Sequence, residues 1–185
     1  VMLFEAKATI HSRNQQRKNF ARVPDYVVDR MYNSQQPPRI AVDCDSFEII
    51  TSETMSAFDI KNIKSLAQLE SHVSPAIWQE LALNFAPHET PYHSEDINTH
   101  IDETILRSTT DKLKMIALFH DLGKGLNKVV KDGIATYSGH ANLGAMYAAV
   151  YLSQHPQPDN AEIIEAIYQH MQAFQGFTKK SKARY

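Results

Sequence analysis

The sequence predicts an all-α helical bundle preceded by a small N-terminal extension that contains one or two short strands. Three observations lead there. From about residue 62 onward, apolar residues recur at helical spacing. Helix start signals, Ser74-Pro75 among them, punctuate that region. The β-branched and aromatic residues of strand type are confined to one run, RIAVDCDSFEII, with no partner strands for a large sheet. The chain of 185 residues is 43% hydrophobic, enough for one domain with a real core. Its single cysteine, Cys44, excludes a disulfide framework and a Cys-based zinc ribbon. No run of roughly 18 apolar residues spans a membrane. The first twenty residues lack a secretory pattern, so a cytoplasmic setting is expected.

The extension is assigned to residues 1–60 and the helical domain to 61–185. Within the extension, VPDYVVDRMYNS reads as a short helix with Pro24 in its first turn and Val27, Val28 and Met31 as its apolar face. SQQPPR is a turn, and RIAVDCDSFEII one strand or a strand pair. In the domain, IKSLAQLESHV and SPAIWQELALNFA read as helices. PHETPYHSED, bracketed by Pro87 and Pro91, is a loop. Helices follow at about 96–108, 111–122, 140–154 and 160–174, and GKGLNKVVKDGIATYSG is a loop between the second and third of these.

The net charge of −2 conceals an uneven distribution. Residues 1–22 carry five bases against Glu5, and KKSKARY at 179–185 carries four bases and no acid. An acidic body with basic ends does not make the broad basic face of a duplex-DNA clamp. The basic ends read as solvated termini, or as approaches for a polyanionic substrate. The nine histidines are the stronger anomaly, with seven between His88 and His170.

Helical spacing turns four of these inward. Leu113, Ile116 and Ala117 stand seven, four and three residues before His120, on one stripe. Ile163 and Ile167 stand seven and three before His170, and Phe174 four after. His100 follows Ile97 by three. His140 shares a face with Leu143, Gly144 and Tyr147. One inward histidine is usually a satisfied core residue. Four on four helices, with Asp121 next to His120, are costly to bury unless hydrogen-bonded or holding a cation. Imidazole and carboxylate without thiolate suit a borderline divalent metal such as Zn, Mn, Fe, Co or Ni.

HSEDINTHIDETI, ALFHDLGKG, YSGHANLGA and AIYQHM, in that order over about residues 91–171, resemble the HD-domain metal-dependent phosphohydrolases. The likeness is greatest to the HD domains of bacterial tRNA CCA-adding enzymes and of RNA-repair and nucleotide phosphatases. It implies an all-α HD-domain helical bundle. It implies one or two divalent ions (Mn, Ni, Co, Fe, Zn or Mg) held by His100, His120, Asp121, His140 and His170, with Asp121 bridging if two bind. It also implies hydrolysis of a phosphate ester on a nucleotide or an RNA end, such as a 2′,3′-cyclic phosphate. Asp121 and Lys124 are then the catalytic residues, Lys124 also lying near the phosphate of the substrate. His93, with Glu95 and Asp96, sits in the loop before the first ligand helix. There it lines the pocket mouth or orders Lys124, so His93 joins Lys124 as a substrate-binding residue. The alternative for that loop is turn chemistry, with Ser94 as the helix cap. Tyr92, Tyr137 and Phe174 are candidates to stack on a base, against ordinary packing.

The resemblance has a departure. The family usually closes its ligand set with an Asp on a late helix, and no acidic residue follows His170. A longer chain, an earlier acid such as Asp102 or Glu103, or an incomplete site are the alternatives. The incomplete site favours a second function, a non-catalytic HD-like module that binds a nucleotide or a protein partner. The cyclic-di-GMP hydrolase signature and the nucleotidyltransferase head of the CCA-adding enzymes are not expected in this chain. His11, His72, His88 and His155 match nothing and are expected at the surface. Asp43-Cys44-Asp45 after an apolar run is a weak candidate for Mg²⁺, since DCDSFEII departs from the haloacid-dehalogenase pattern.

Overall fold

The computed structural model describes residues 1–18, 21–38, 43 and 47–172. The fold is mainly α, with eight α-helices and two two-stranded sheets among the described residues. No helix among them is long and apolar enough to cross a membrane.

Among the described residues the extension holds two strands, one of them at the end of the strand-like run. β1 (Met2–Leu3) pairs in parallel with β2 (Ile49–Ile50). Among the described residues of RIAVDCDSFEII, only Ile49 and Ile50 are strand. Asp43 is exposed, and Cys44 and Asp45 lie outside the described residues. α1 (Lys7–Gln16) has no side-chain cap of its own and buries only Asn14. Two acids distant in sequence start it instead. Glu53 accepts from the Ala6 backbone N–H at 3.1 Å, and Glu80 accepts from that of Lys7. Carboxylates there satisfy the orphan donors of a helix N-terminus and complement its dipole. α2 (Asp25–Asn33) lies where the periodicity predicts it. Val28 and Tyr32 form its buried face, whereas Met31 is 63% exposed.

The first two expected domain helices are shorter than read. LAQLESH is a 3₁₀ helix, Leu66–His72, started by a Ser65/Gln68 capping box. α3 (Pro75–Leu81) begins at Ser74, whose hydroxyl accepts from the Ile77 N–H, with Pro75 at the first helical position.

The site-bearing helices come next. α4 (Ile97–Arg107) buries Ile97, Ile101 and Ile105 completely, one residue per turn. Each contributes about 1.5–3 kcal/mol by leaving water, so the face that carries His100 is firmly seated. α5 (Asp111–Phe119) is capped by Thr110 and buries Met115, Ala117, Leu118 and Phe119. Leu113, placed by sequence on the stripe of His120, is 48% exposed, and the helix turns its Met115–Phe119 side inward instead. α7 (His140–Gln154) is buried along both sides from His140 to Leu152 and forms the axis of the bundle. α8 (Asn160–Gln169) packs on α7 and α5 through Ile163, Ile164 and Ile167.

The segment between α5 and α7, expected as a loop, contains α6 (Lys124–Asn127) and an antiparallel hairpin of β3 (Val129–Lys131) and β4 (Ile134–Thr136). Asp132 and Gly133 join the strands with φ of 53° and 76°. Positive φ at both central residues is the turn that matches strand twist, and Asp-Gly is its strongest signature.

One hydrophobic cluster joins the extension to the helices. It includes Phe4, Tyr32 and Met55 alongside Ile77, Ile101, Phe119, Tyr147 and Ile167. At its centre α7 lies hard against the end of α5: a Cβ at Gly144 would stand 2.4 Å from the Phe119 carbonyl oxygen. That contact sets the separation between the segments carrying His140 and Asp121.

Candidate metal centre

His100 projects from α4, His120 follows the last residue of α5, His140 opens α7 and His170 follows the last residue of α8. The four elements bring their rings around the Asp121 carboxylate, which is 2% exposed. His120 and His100 place Nε2 at 3.0 Å and 3.4 Å from Asp121 Oδ2. His140 and His170 place Nε2 at 3.4 Å and 3.5 Å from Oδ1. Each carboxylate oxygen therefore faces its own pair of imidazoles.

The opposite ring nitrogens fix the tautomers. Nδ1 of His120, His140 and His170 lies 2.8, 2.7 and 2.7 Å from the carbonyl three residues earlier, of Ala117, Tyr137 and Ile167. Nδ1 of His100 lies 3.1 Å from Glu95 Oε1. Carbonyl and carboxylate oxygens only accept, so each Nδ1 carries the hydrogen and a neutral ring presents a lone pair at Nε2. His120 uses a carbonyl near the C-terminus of α5, and the Ile167 carbonyl used by the His170 ring also accepts from the His170 backbone N–H at 3.4 Å. Such partners on the far nitrogen are what orient histidine ligands in metal sites.

Four lone pairs and two carboxylate oxygens thus converge with few donors among them. His140 Nε2 and His170 Nε2 are 3.2 Å apart, and Asp121 Oδ1 has no hydrogen-bond partner. Nitrogen lone pairs facing a buried oxygen repel one another unless a cation lies between. A tetrahedral ion with ligands at ~2.0–2.2 Å separates neighbouring ligand atoms by about 3.4 Å. The observed edges of the Asp121–His140–His170 triangle, 3.2, 3.4 and 3.5 Å, match that spacing. Two groups of possible ligands share Asp121: His100, His120 and Asp121, and Asp121, His140 and His170. The donor set fits one ion on each carboxylate oxygen.

The electrostatics agree. Burial alone would raise the Asp121 carboxyl, but His120 and His170, which donate to it when a proton rather than an ion lies at Nε2, and the Lys124 ammonium outweigh burial and hold it well below the usual range. Burial pushes the His140 imidazole down to about 4 against the opposing pull of Asp121, and it lowers His100 as well. A carboxylate kept ionised and imidazoles kept neutral are the protonation states that bind metal.

Lys124 Nζ is 2.7 Å from Asp121 Oδ2, with its side chain 8% exposed. His93 lies one layer out: its Nδ1 is 3.3 Å from Glu95 Oε1, and its ring packs at 4.8 Å on that of His100. The structure therefore brings His100, His120, Asp121, Lys124, His140 and His170 together and sets His93 at their edge. Asp102 and Glu103 stay apart. Asp102 accepts from the Leu66 N–H at 2.6 Å, and Glu103 pairs with Arg107. Ser94 is not the helix cap; Asp96 holds that position, and Ser94 turns to the Glu95 carboxylate. Tyr92 is 88% exposed, Tyr137 packs on His88 and His140, and Phe174 lies outside the described residues.

The role of Glu95 toward His100 and the burial of His88 escape sequence reasoning. Glu95 accepts from both His93 and His100, and its own backbone N–H holds its carboxyl down to about 2. His88, expected at the surface, is 1% exposed and touches Lys124. Its position in an irregular loop gives no periodicity from which burial is read. His11, His72 and His155 are each half-buried, on Asp29, Phe58 and the Met55 carbonyl.

No protein-family model, curated protein or solved structure matches this chain.

Proposed function

We propose that this protein is a metal-dependent phosphohydrolase of the HD type. Its substrate is a phosphomonoester or phosphodiester on a nucleotide or an RNA end, such as a 2′,3′-cyclic phosphate. The observation that carries the reading is the facing of both Asp121 oxygens by paired imidazole Nε2 lone pairs, each ring locked in one tautomer from behind. The order of the His and His-Asp motifs along the chain, which resembles that of HD phosphohydrolases, supports the same reading.

His100 and His120 with Asp121 Oδ2, and His140 and His170 with Oδ1, would hold one or two ions among Mn, Ni, Co, Fe, Zn or Mg. Bound there, such ions supply Lewis acidity toward a phosphoryl oxygen and lower the pKa of a water toward ~7. The protein's own groups do the rest. Asp121 stays ionised and joins the two ligand sets. The backbone carbonyls behind His120, His140 and His170 keep those rings in the ligating tautomer, and Glu95 does so for His100. Lys124 offers a fixed positive charge to the negative charge that develops on the phosphoryl group. His93, at the edge, contacts the substrate.

Metal analysis of the purified protein, with hydrolysis of bis-p-nitrophenyl phosphate in Mn²⁺ or Ni²⁺, tests this. Stoichiometric metal and turnover, both lost in Asp121→Asn, are expected. A folded protein with neither metal nor turnover refutes the reading and favours a non-catalytic module. Turnover that survives Asp121→Asn but not Asp43→Asn puts the chemistry elsewhere. A panel of 2′,3′-cyclic nucleotides, nucleoside monophosphates and triphosphates then assigns the substrate.

A further inference from the structure

A second cluster, His88, His93 and Glu95, stands beside the first and has the composition of a cation site. Its hydrogen bonds say otherwise. His88 Nδ1 is 2.8 Å from the Glu95 backbone carbonyl, so it carries the hydrogen, and Nε2 is left as an acceptor. Lys124 Nζ takes that acceptor at 3.1 Å. Both ring nitrogens are spent, and an ammonium occupies the place of an ion.

We propose that His88 is a positioning residue that aims the Lys124 ammonium at the phosphoryl oxygens of the substrate. The proposal rests on the phosphohydrolase reading above. An ammonium has three N–H donors on a flexible stem. Held by Asp121 Oδ2 alone, it would pivot about that contact. Held also by His88 Nε2, two of its tetrahedral directions are fixed, and the third is set by geometry. The Tyr137 ring, 5.6 Å from Nζ, adds an aromatic face on another side.

His88 is itself held on every side. The Tyr137 hydroxyl donates to its backbone carbonyl, and the His93 ring stacks on it at 4.1 Å with 14° between planes. Glu95 serves both assemblies: its carboxylate orients His100 and its carbonyl orients His88. Lys124 and the first ligand histidine thus share one anchor. Placing a charge in advance, before the reaction needs it, is what gives such a group its effect.

The test uses the full chain loaded with Mn²⁺ and bis-p-nitrophenyl phosphate as substrate, in His88→Leu, His88→Gln, Lys124→Met and the His88→Leu/Lys124→Met double variant. His88→Leu removes the acceptor and should lower kcat by roughly 10- to 100-fold with metal content unchanged. His88→Gln presents an amide oxygen to Lys124 and should recover most of that loss. In the Lys124→Met background, His88→Leu should change kcat by less than about threefold, because the coupling partner is gone. A full additional loss in that background means a merely structural role and overturns the proposal, as does a His88→Leu kcat within twofold of wild type. Nitrogen-15 NMR of the Zn²⁺-loaded protein gives a readout apart from activity. His88 should be an Nδ1–H tautomer whose Nε2 resonance moves in Lys124→Met. That signature in a wild type without turnover overturns the phosphohydrolase reading and the proposal with it. Turnover without that signature overturns the proposal alone.

Discussion

Gly144→Ala should damage the proposed metal centre without touching a proposed ligand. The added Cβ would stand 2.4 Å from the Phe119 carbonyl oxygen and 2.9 Å from that of His120. Carbon–oxygen contacts begin at about 3.3 Å, so α7 and the end of α5 must part by about 1 Å. Neither obstacle is a flexible side-chain tip; both are backbone. His140 sits one turn before Gly144 on the same helix, and Asp121 directly follows His120. The separation therefore falls on the His140–Asp121 edge, while His100 and His120 keep their relation to Oδ2. Metal ligation tolerates roughly ±0.2 Å, so the displacement is several times too large. Overpacking of this kind costs about 1–3 kcal/mol, a fall in Tm of roughly 2–12 °C in a chain of this size. The expected result is a folded protein that binds metal at the His100–His120 side and has lost most affinity at the His140–His170 side, read by titration calorimetry. Gly133→Ala is the control. It has nothing within 4 Å but sits at φ 76°, so it should cost about 1 kcal/mol and leave metal binding unchanged. Gly144→Ala with wild-type stoichiometry and affinity would refute the account of how α5 and α7 set the site.

Glu95→Ala should weaken metal binding roughly 10- to 100-fold by releasing the His100 ring, with Glu95→Gln much milder, as measured by competition with a chelator. Glu80→Ala strands the Tyr32 and Tyr147 hydroxyls and the Lys7 N–H, three donors in or beside the core. At about 1–3 kcal/mol for each buried unpaired donor, it should be among the most destabilising single changes in urea, and Glu103→Ala should lie within about 0.5 kcal/mol of wild type. Chelator-treated protein should lose stability as pH falls from about 6.5 to about 4. His88 and His140 are held down near 4 by burial, so the unfolded chain binds the extra protons in that window; His140 alone contributes roughly 3 kcal/mol. A urea midpoint that is flat between pH 7 and 4.5 would contradict the burial of these rings, while Asp121, lowered rather than raised, adds its own loss only below the ordinary carboxylate range.

How much of this was legible in the sequence depends on where the determinants lie. α4, α5, α7 and α8 were readable because their apolar residues face one continuous core, and a period of 3.6 is a local property. α1 was not. Its N-terminus is satisfied by Glu53 and Glu80, 47 and 73 residues from the backbone groups they bind, and no window over residues 7–16 contains them. The β3–β4 hairpin is a different failure. Its Asp132-Gly133 turn signature is present in the sequence, and only the shortness of the flanking strands concealed it. Leu113 and Met31 show the width of the error on any helix: periodicity finds a stripe, but tertiary packing selects which edge of the stripe is covered.

The same division runs through the site. The proposed ligands sit on or at the ends of helices, so the inward faces predicted their convergence. The groups that hold the ligands in the binding tautomer are backbone carbonyls and a loop carboxylate, and neither has a sequence signature. Any residue type supplies a carbonyl at the positions of Ala117, Tyr137 and Ile167; what matters is that α5 and α8 end directly before their histidine, or that a turn leads into α7, so that the carbonyl three residues earlier lies beside Nδ1. Moving His120 or His170 by one position would preserve composition and nearly preserve the apolar face. It would also detach Nδ1 from its carbonyl and free the ring to offer a hydrogen where a lone pair is needed. The helix boundaries are therefore part of the ligand set, and substitutions that extend α5 or α8 past their present ends should weaken metal binding as surely as loss of an imidazole.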